Sequence, residues 1–171
     1  MGCGYHSAGY DNKLSAYKTI SVPYVQGDSE GNLTSVLTKT LVDSGILEYK
    51  AFDSDVSLIV QIQGSKVEDV GYNRQYNAEG QIETWMNPNE RRLSVLVNVS
   101  VIDEATQKTI LGPVPLSMSV KYDFDQQFSE DNLVQFSLAQ YNFFENSERI
   151  AYESLNQRLS RLIVDYLVNA W

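Results

Sequence analysis

At 171 residues the chain is most simply one domain, long enough to bury a core without disulfides or a metal. Its 22 acidic and 13 basic residues leave a net charge of −9, which argues against a general nucleic-acid binder, because neutralising phosphates needs a basic surface. One cysteine excludes an intrachain disulfide, and with one histidine it supplies a zinc site poorly.

The chain opens MGCGYHSAGY, and Cys3 and His6 are the only residues of their types. No apolar run approaches the roughly 18 residues of a membrane helix, and no apolar stretch precedes Cys3. If Met1 is an added start, the native text begins at or just before GCGYH. Gly2-Cys3 then fits the junction at which a bacterial lipoprotein signal is cut before the cysteine that becomes residue one. Each buried CH₂ of an acyl chain contributes about 0.8 kcal/mol, so several chains on Cys3 would hold firmly where one would not. The alternative is a stray N-terminal thiol. Residues 1–16 read as a tether and 17–171 as a single α/β domain.

In YKTISVPYVQ, Ile20, Val22 and Tyr24 alternate with Thr19, Ser21 and Pro23, which predicts a first strand with Pro23 at an edge or bulge. Residues 32–44 predict a helix: Asn32 is placed to cap it, Leu33, Val36, Leu37, Thr40 and Leu41 share a face, and Gly45 stops it. SDVSLIVQIQG predicts a second strand with Val56, Leu58, Val60 and Ile62 on one side. Gly64 allows a bulge, after which the strand can run on through Val67 and Val70. From Gly71 to Glu90 the Asn- and Gly-rich text predicts a long loop. RRLSVLVNVSVID is the clearest strand, with Leu93, Val95, Val97, Val99 and Val101 on one face. A turn and ILGPVP lead to LSMSVKYDFD, whose Leu116, Met118, Val120, Tyr122 and Phe124 alternate likewise. Residues 125–146 are compatible with a short helix from Ser129 or a strand through Gln135–Tyr141. The last segment predicts a long amphipathic helix capped by Asn146 or Ser147. Its stripe is Ala151, Leu155, Leu159, Leu162, Ile163, Tyr166, Leu167 and Ala170.

Each strand has one strongly apolar face and each helix one apolar stripe. The predicted class is α+β: a two-layer α/β sandwich in which a mixed four-stranded sheet carries two helices on one face, in βαβββα order. The other face, rich in Ser, Gln, Thr and Asn, is left open to water or to a partner.

The sequence predicts no catalytic set, no metal site and no cofactor. Cys3 and His6 resemble a nucleophile and base only by falling together in the tether. No phosphate-loop pattern occurs, Asp53 and Asp55 lack the rest of a calcium loop, and Glu79 and Glu83 have no defined partner. The basic residues are few, and Arg74, Arg91 and Arg92 bracket Trp85-Met86. Guanidinium forks beside a large aromatic suit an amphiphilic phosphate ligand. The plainer reading makes Arg91 and Arg92 strand-end charges and packs Trp85 back on the domain. Lys121, one strand further on, is a weaker candidate for the same ligand.

The segments CGYH, YKTISVPYVQGDSEGNLTSVLTKTLVDSGI, SDVSLIVQIQ, RRLSVLVNVSVID and the terminal VNAW resemble the lipopolysaccharide-assembly lipoprotein family LptE over nearly the full length. The resemblance implies acylation of Cys3. It also implies sorting to the periplasmic face of a Gram-negative outer membrane, since Gly4 follows the cysteine where Asp would be the usual retention signal. It implies a plug that helps an LptD-like β-barrel fold and takes part in lipopolysaccharide insertion, without turnover chemistry. Lipopolysaccharide contact falls, in the family, on basic loop residues. Arg74, Arg91, Arg92 and Lys121 are candidates for that contact by local composition, amid Glu79, Glu83 and Glu90. The alternative is a lipid-anchored periplasmic scaffold or interaction module of another envelope complex.

Overall fold

The computed structural model describes residues 14–76, 79–80, 82–123 and 138–169. The elements run β1 (Thr19–Ser21), α1 (Asn32–Ser44), β2 (Glu48–Tyr49), β3 (Val56–Tyr76), β4 (Ile82–Asp103), β5 (Thr109–Asp123) and α2 (Leu138–Asn169). One mixed sheet has the order β2-β1-β3-β4-β5, with β1 parallel to β2 and β3, and β3, β4 and β5 antiparallel. Both helices cover one face: Leu33, Leu37 and Leu41 of α1 and Leu155, Leu159 and Ile163 of α2 share a core with alternate residues of β3 and β4. The α+β two-layer sandwich is therefore present, with five strands among the described residues rather than four. The added strand, β2, is two residues long, too short to leave an alternating pattern.

β1 is also shorter than predicted, because Pro23 has no N–H to offer a ladder. Val22 and Val25 are nonetheless buried, while Tyr24 turns outward. The chain rejoins β3 further on: the Gln26 N–H donates to Val60 O at 3.0 Å and the Ile62 N–H to Gln26 O at 2.9 Å. The N-cap of α1 is Gly31, in a left-handed conformation, and Asn32 is already helical. The capping bond comes from Asp28, whose carboxylate accepts from both the N–H and the hydroxyl of Thr34 at 2.8 Å. Gly45 ends the helix as predicted, at φ 63.

The segment Gly71–Glu90 is a continuation of the hairpin rather than a long loop. Pairing runs out to Tyr76↔Ile82, with register shifts after Ile62, Asp69, Gly71 and Arg74. Each shift adds twist and admits residues of low strand preference. The first has a further effect: inward residues of β3 are even-numbered up to Ile62↔Val97 and odd-numbered from Ser65↔Val95 to Asp69↔Arg91. The described part of β5 ends opposite Glu90, so among the described residues the sheet narrows from three strands to a two-stranded ribbon. From Leu93 to its tip at Ile82 this arm extends about 35 Å at the usual strand rise.

ILGPVP and LSMSVKYD form one strand, β5, crossing a cis Gly112-Pro113 bond. Gly112 has φ 80, and a Cβ there would lie 2.3 Å from Val99 O, so only glycine fits this approach. α2 begins at Leu138, well before the predicted caps Asn146 and Ser147. Leu138–Tyr141 is thus helix, which overturns the strand reading there; a helix starting at Ser129 falls outside the described residues. The text from Leu138 to Phe144, rich in apolar and aromatic residues, is too short a run to tell helix from strand by period. Ala151, Leu155, Leu159, Ile163 and Leu167 are buried, and Leu162 and Tyr166 are partly so; Ala170 lies outside the described residues. Leu14, read from sequence as tether, is fully buried in the core.

Candidate functional site

The predicted basic candidates fall on the arm and its root. Because Leu93 points into the core, Arg92 points to the open sheet face and Arg91 to the helix side. Arg92 pairs in register with Lys121 on β5 and with Glu68 on β3. Arg91 pairs with Asp69 and with Tyr122. Arg74 lies further out on the ribbon, opposite Met86. The structure therefore brings together Arg92 and Lys121, sets Arg91 behind them across the sheet, and leaves Arg74 apart.

Two like charges directly opposite each other destabilise a strand pair unless neighbours compensate. Here carboxylates do so. Lys121 Nζ lies 3.1 Å from Glu90, and Arg91 Nε donates to Asp69 at 2.8 Å. Lys66, on the open face of β3, reaches Glu68 at 2.5 Å. Hydrogen bonding and charge from Lys66, with a smaller share from Arg92, hold the Glu68 carboxyl below its ordinary range. The root thus carries four cations, Lys66, Arg91, Arg92 and Lys121, beside four carboxylates, Glu68, Asp69, Glu90 and Asp123. Such exposed pairs are each worth only about 0–1 kcal/mol, so an incoming anion can displace a carboxylate at little cost. On the helix side, burial and the Glu148 carboxylate raise the pKa of Tyr122, while Arg91 acts in the opposite direction.

Lys66, Glu68, Asp69 and Tyr122 were not among the sequence candidates. The Lys66/Glu68 alternation was the available signal, but the phase change at Gly64 hid which face it occupied. Away from the root, the open face carries Gln61, Asn98, Ser94, Ser117 and Ser119 with Leu96 among them. No second layer covers this face among the described residues. Cys3 and His6 lie outside the described residues, and Glu79 falls in the hairpin connection. Asp55 does more than solvate a turn: its carboxylate accepts the N–H groups of Lys18 and Thr19 at 2.8 and 2.9 Å, fixing the start of β1 against β3. These bonds lower its pKa. Among the described residues no cluster of His, Cys, Asp and Glu could hold a metal ion, and no helix is long and apolar enough to cross a membrane.

No protein-family model matches the chain, and no curated protein matches it. Solved structures similar to it include a minor lipoprotein from Acinetobacter baumannii, 15% identical, covering 88% of this chain and 92% of that one at a TM-score of 0.45. They also include the rare lipoprotein B from Shewanella oneidensis, 13% identical, covering 89% and 95% at a TM-score of 0.47. Both are bacterial lipoproteins.

Proposed function

We propose that this chain is an LptE-like outer-membrane lipoprotein, anchored through Cys3, that plugs and assists assembly of an LptD-like barrel. In this reading the arm and its root, with Arg74, Arg91, Arg92 and Lys121, contact lipopolysaccharide during its insertion into the outer leaflet. The role is structural and recognitional rather than enzymatic. The observation that carries the proposal is the one-sided architecture: both helices lie on one face, and the other is a polar sheet that nothing covers among the described residues. Large membrane barrels have polar interiors, and a rigid polar sheet suits that lining. The CGYH opening adds the anchor.

A second reading is favoured by the matched charges at the root. Four carboxylates beside four cations suit a protein surface of alternating charge as well as a phosphate, as a scaffold of another envelope complex would need. The test is recovery of the natively acylated protein from outer membranes, with mass spectrometry of what accompanies it. A stoichiometric large barrel protein is the expected result. An intact anchor with no barrel would leave the scaffold reading in its place. Cys3→Ala should release the protein from membranes without lowering its melting temperature, unless a barrel retains it.

A further inference from the structure

A concave site lies at the opposite end of the open sheet face from the charged root. It is a cavity of about 670 Å³ bounded by the loop before β3, the outward side of β1 and the β4–β5 turn. Two carboxylates line it, Asp53 and Glu104, and among the described residues no Lys, Arg or His does. Glu104 is held in place from below. Ser21 and Ser57, both buried, share a hydrogen bond at 2.7 Å, and the Ser57 hydroxyl also bonds Glu104 Oε1. Gln107 Nε2 donates to Glu104 Oε2 at 3.1 Å, and the Glu104 N–H is tied to Asp55 O at 3.0 Å. An ionised carboxylate has about four acceptor positions, so these two side-chain bonds leave capacity unused. Asp53 sits at φ 53, a conformation that non-glycine residues seldom adopt, in the same loop that projects Phe52. Phe52 is 85% exposed, the most exposed of the large apolar side chains among the described residues.

We propose that this pocket receives an arginine side chain from a protein partner. A preset carboxylate, a second carboxylate and a free aromatic face are the three complements of a guanidinium. Its planar fork bonds carboxylates in pairs, and its face stacks on aromatic rings, which a lysine ammonium does less well. The pocket opens onto the polar sheet face, which no second layer covers among the described residues, so an extended segment lying on that face would place a side chain into it. The source of the arginine rests on the partner-binding reading above; the site itself does not.

The test is an NMR titration of the full chain with three probes: N-acetyl-arginine amide, N-acetyl-lysine amide and the neutral isostere N-acetyl-citrulline amide. The arginine probe should shift amides at Phe52, Asp53, Ser57 and Glu104, the lysine probe less, and the citrulline probe not at all. Glu104→Gln keeps an oxygen for Ser57 and should weaken the response about tenfold. Phe52→Ala, on an exposed side chain, should weaken it about threefold without affecting folding. Equal shifts with citrulline or lysine, shifts centred on Glu68 or Glu90, or no shifts would each overturn the proposal. Arginine binding here in a protein that recovers no barrel from membranes would sink the plug reading and leave the pocket standing.

Discussion

The base and the arm of this molecule are built from the same two strands, β3 and β4, yet they are held by different forces. In the base, Leu93, Val95, Val97, Val99 and Val101 point under two helices and are buried. Past Leu93 the same strand carries Arg92 and Arg91, pairs with β5 as far as Glu90, and among the described residues continues as a two-stranded ribbon. A two-stranded hairpin is at best marginally stable in water, whereas a sheet packed on helices gains from every inward side chain. The base therefore carries the stability, and the arm is free to carry charge, bulges and contact residues at little cost to the fold.

The largest effects should come from breaking the base. Leu159→Ala removes a fully buried side chain of α2 and should cost roughly 2–5 kcal/mol, read as a shift in denaturation midpoint. An unchanged midpoint would put the stripe of α2 outside the core. Gly112→Ala forces a left-handed backbone and a contact at 2.3 Å, so a loss of at least about 1–3 kcal/mol is expected at the β4–β5 crossing. A smaller, opposite effect is expected at Ser160, whose hydroxyl is fully buried with no hydrogen-bond partner among the described residues. Ser160→Ala should be neutral or stabilise by up to about 1 kcal/mol, since it removes an unsatisfied polar group.

Acid should loosen the end of the base farthest from the arm. Backbone N–H groups hold both Asp55 and Asp103 below the ordinary aspartate value of about 3.9, with Tyr17 adding a hydrogen bond to Asp103. A depressed folded-state pKa contributes stability that is complete above the unfolded value and is lost as pH falls through the folded one. Melting temperature should therefore fall below about pH 4, and Asp55→Asn should flatten that decline while lowering stability at neutral pH. The smallest effect on stability belongs to the arm root. Arg92→Ala with Lys121→Ala should change it by no more than about 0.5 kcal/mol while reducing retention on immobilised lipopolysaccharide. Equal retention would remove these residues from the ligand contact.

The same division explains what could be read from the sequence. The base was legible because burial imposes period: strand alternation at 56–62 and 93–101, and the helical stripes of Leu33–Leu41 and Ala151–Leu167, each follow from a core-facing side. β2 was missed because two residues have no period. The cap of α1 was misassigned because Asp28 reaches it from outside the helix, across a loop. The ribbon reads as a loop in the sequence because its register shifts admit Asn, Gly and Pro and scramble the alternation. For the candidate site, Arg74, Arg91, Arg92 and Lys121 could be named from their scarcity. Their carboxylate partners Glu68, Asp69 and Glu90, and the opposition of Arg92 and Lys121, depend on cross-strand register that no single strand encodes.

The most direct test of this division of labour is amide hydrogen exchange across the full chain, with and without lipopolysaccharide. The account predicts slow exchange at residues 56–62 and 93–101 in both states. It predicts faster exchange at residues 64–76 and 82–92, with protection gained there and at residues 116–123 when lipopolysaccharide is added. Protection gained at the helices, or no change at the arm, would contradict it.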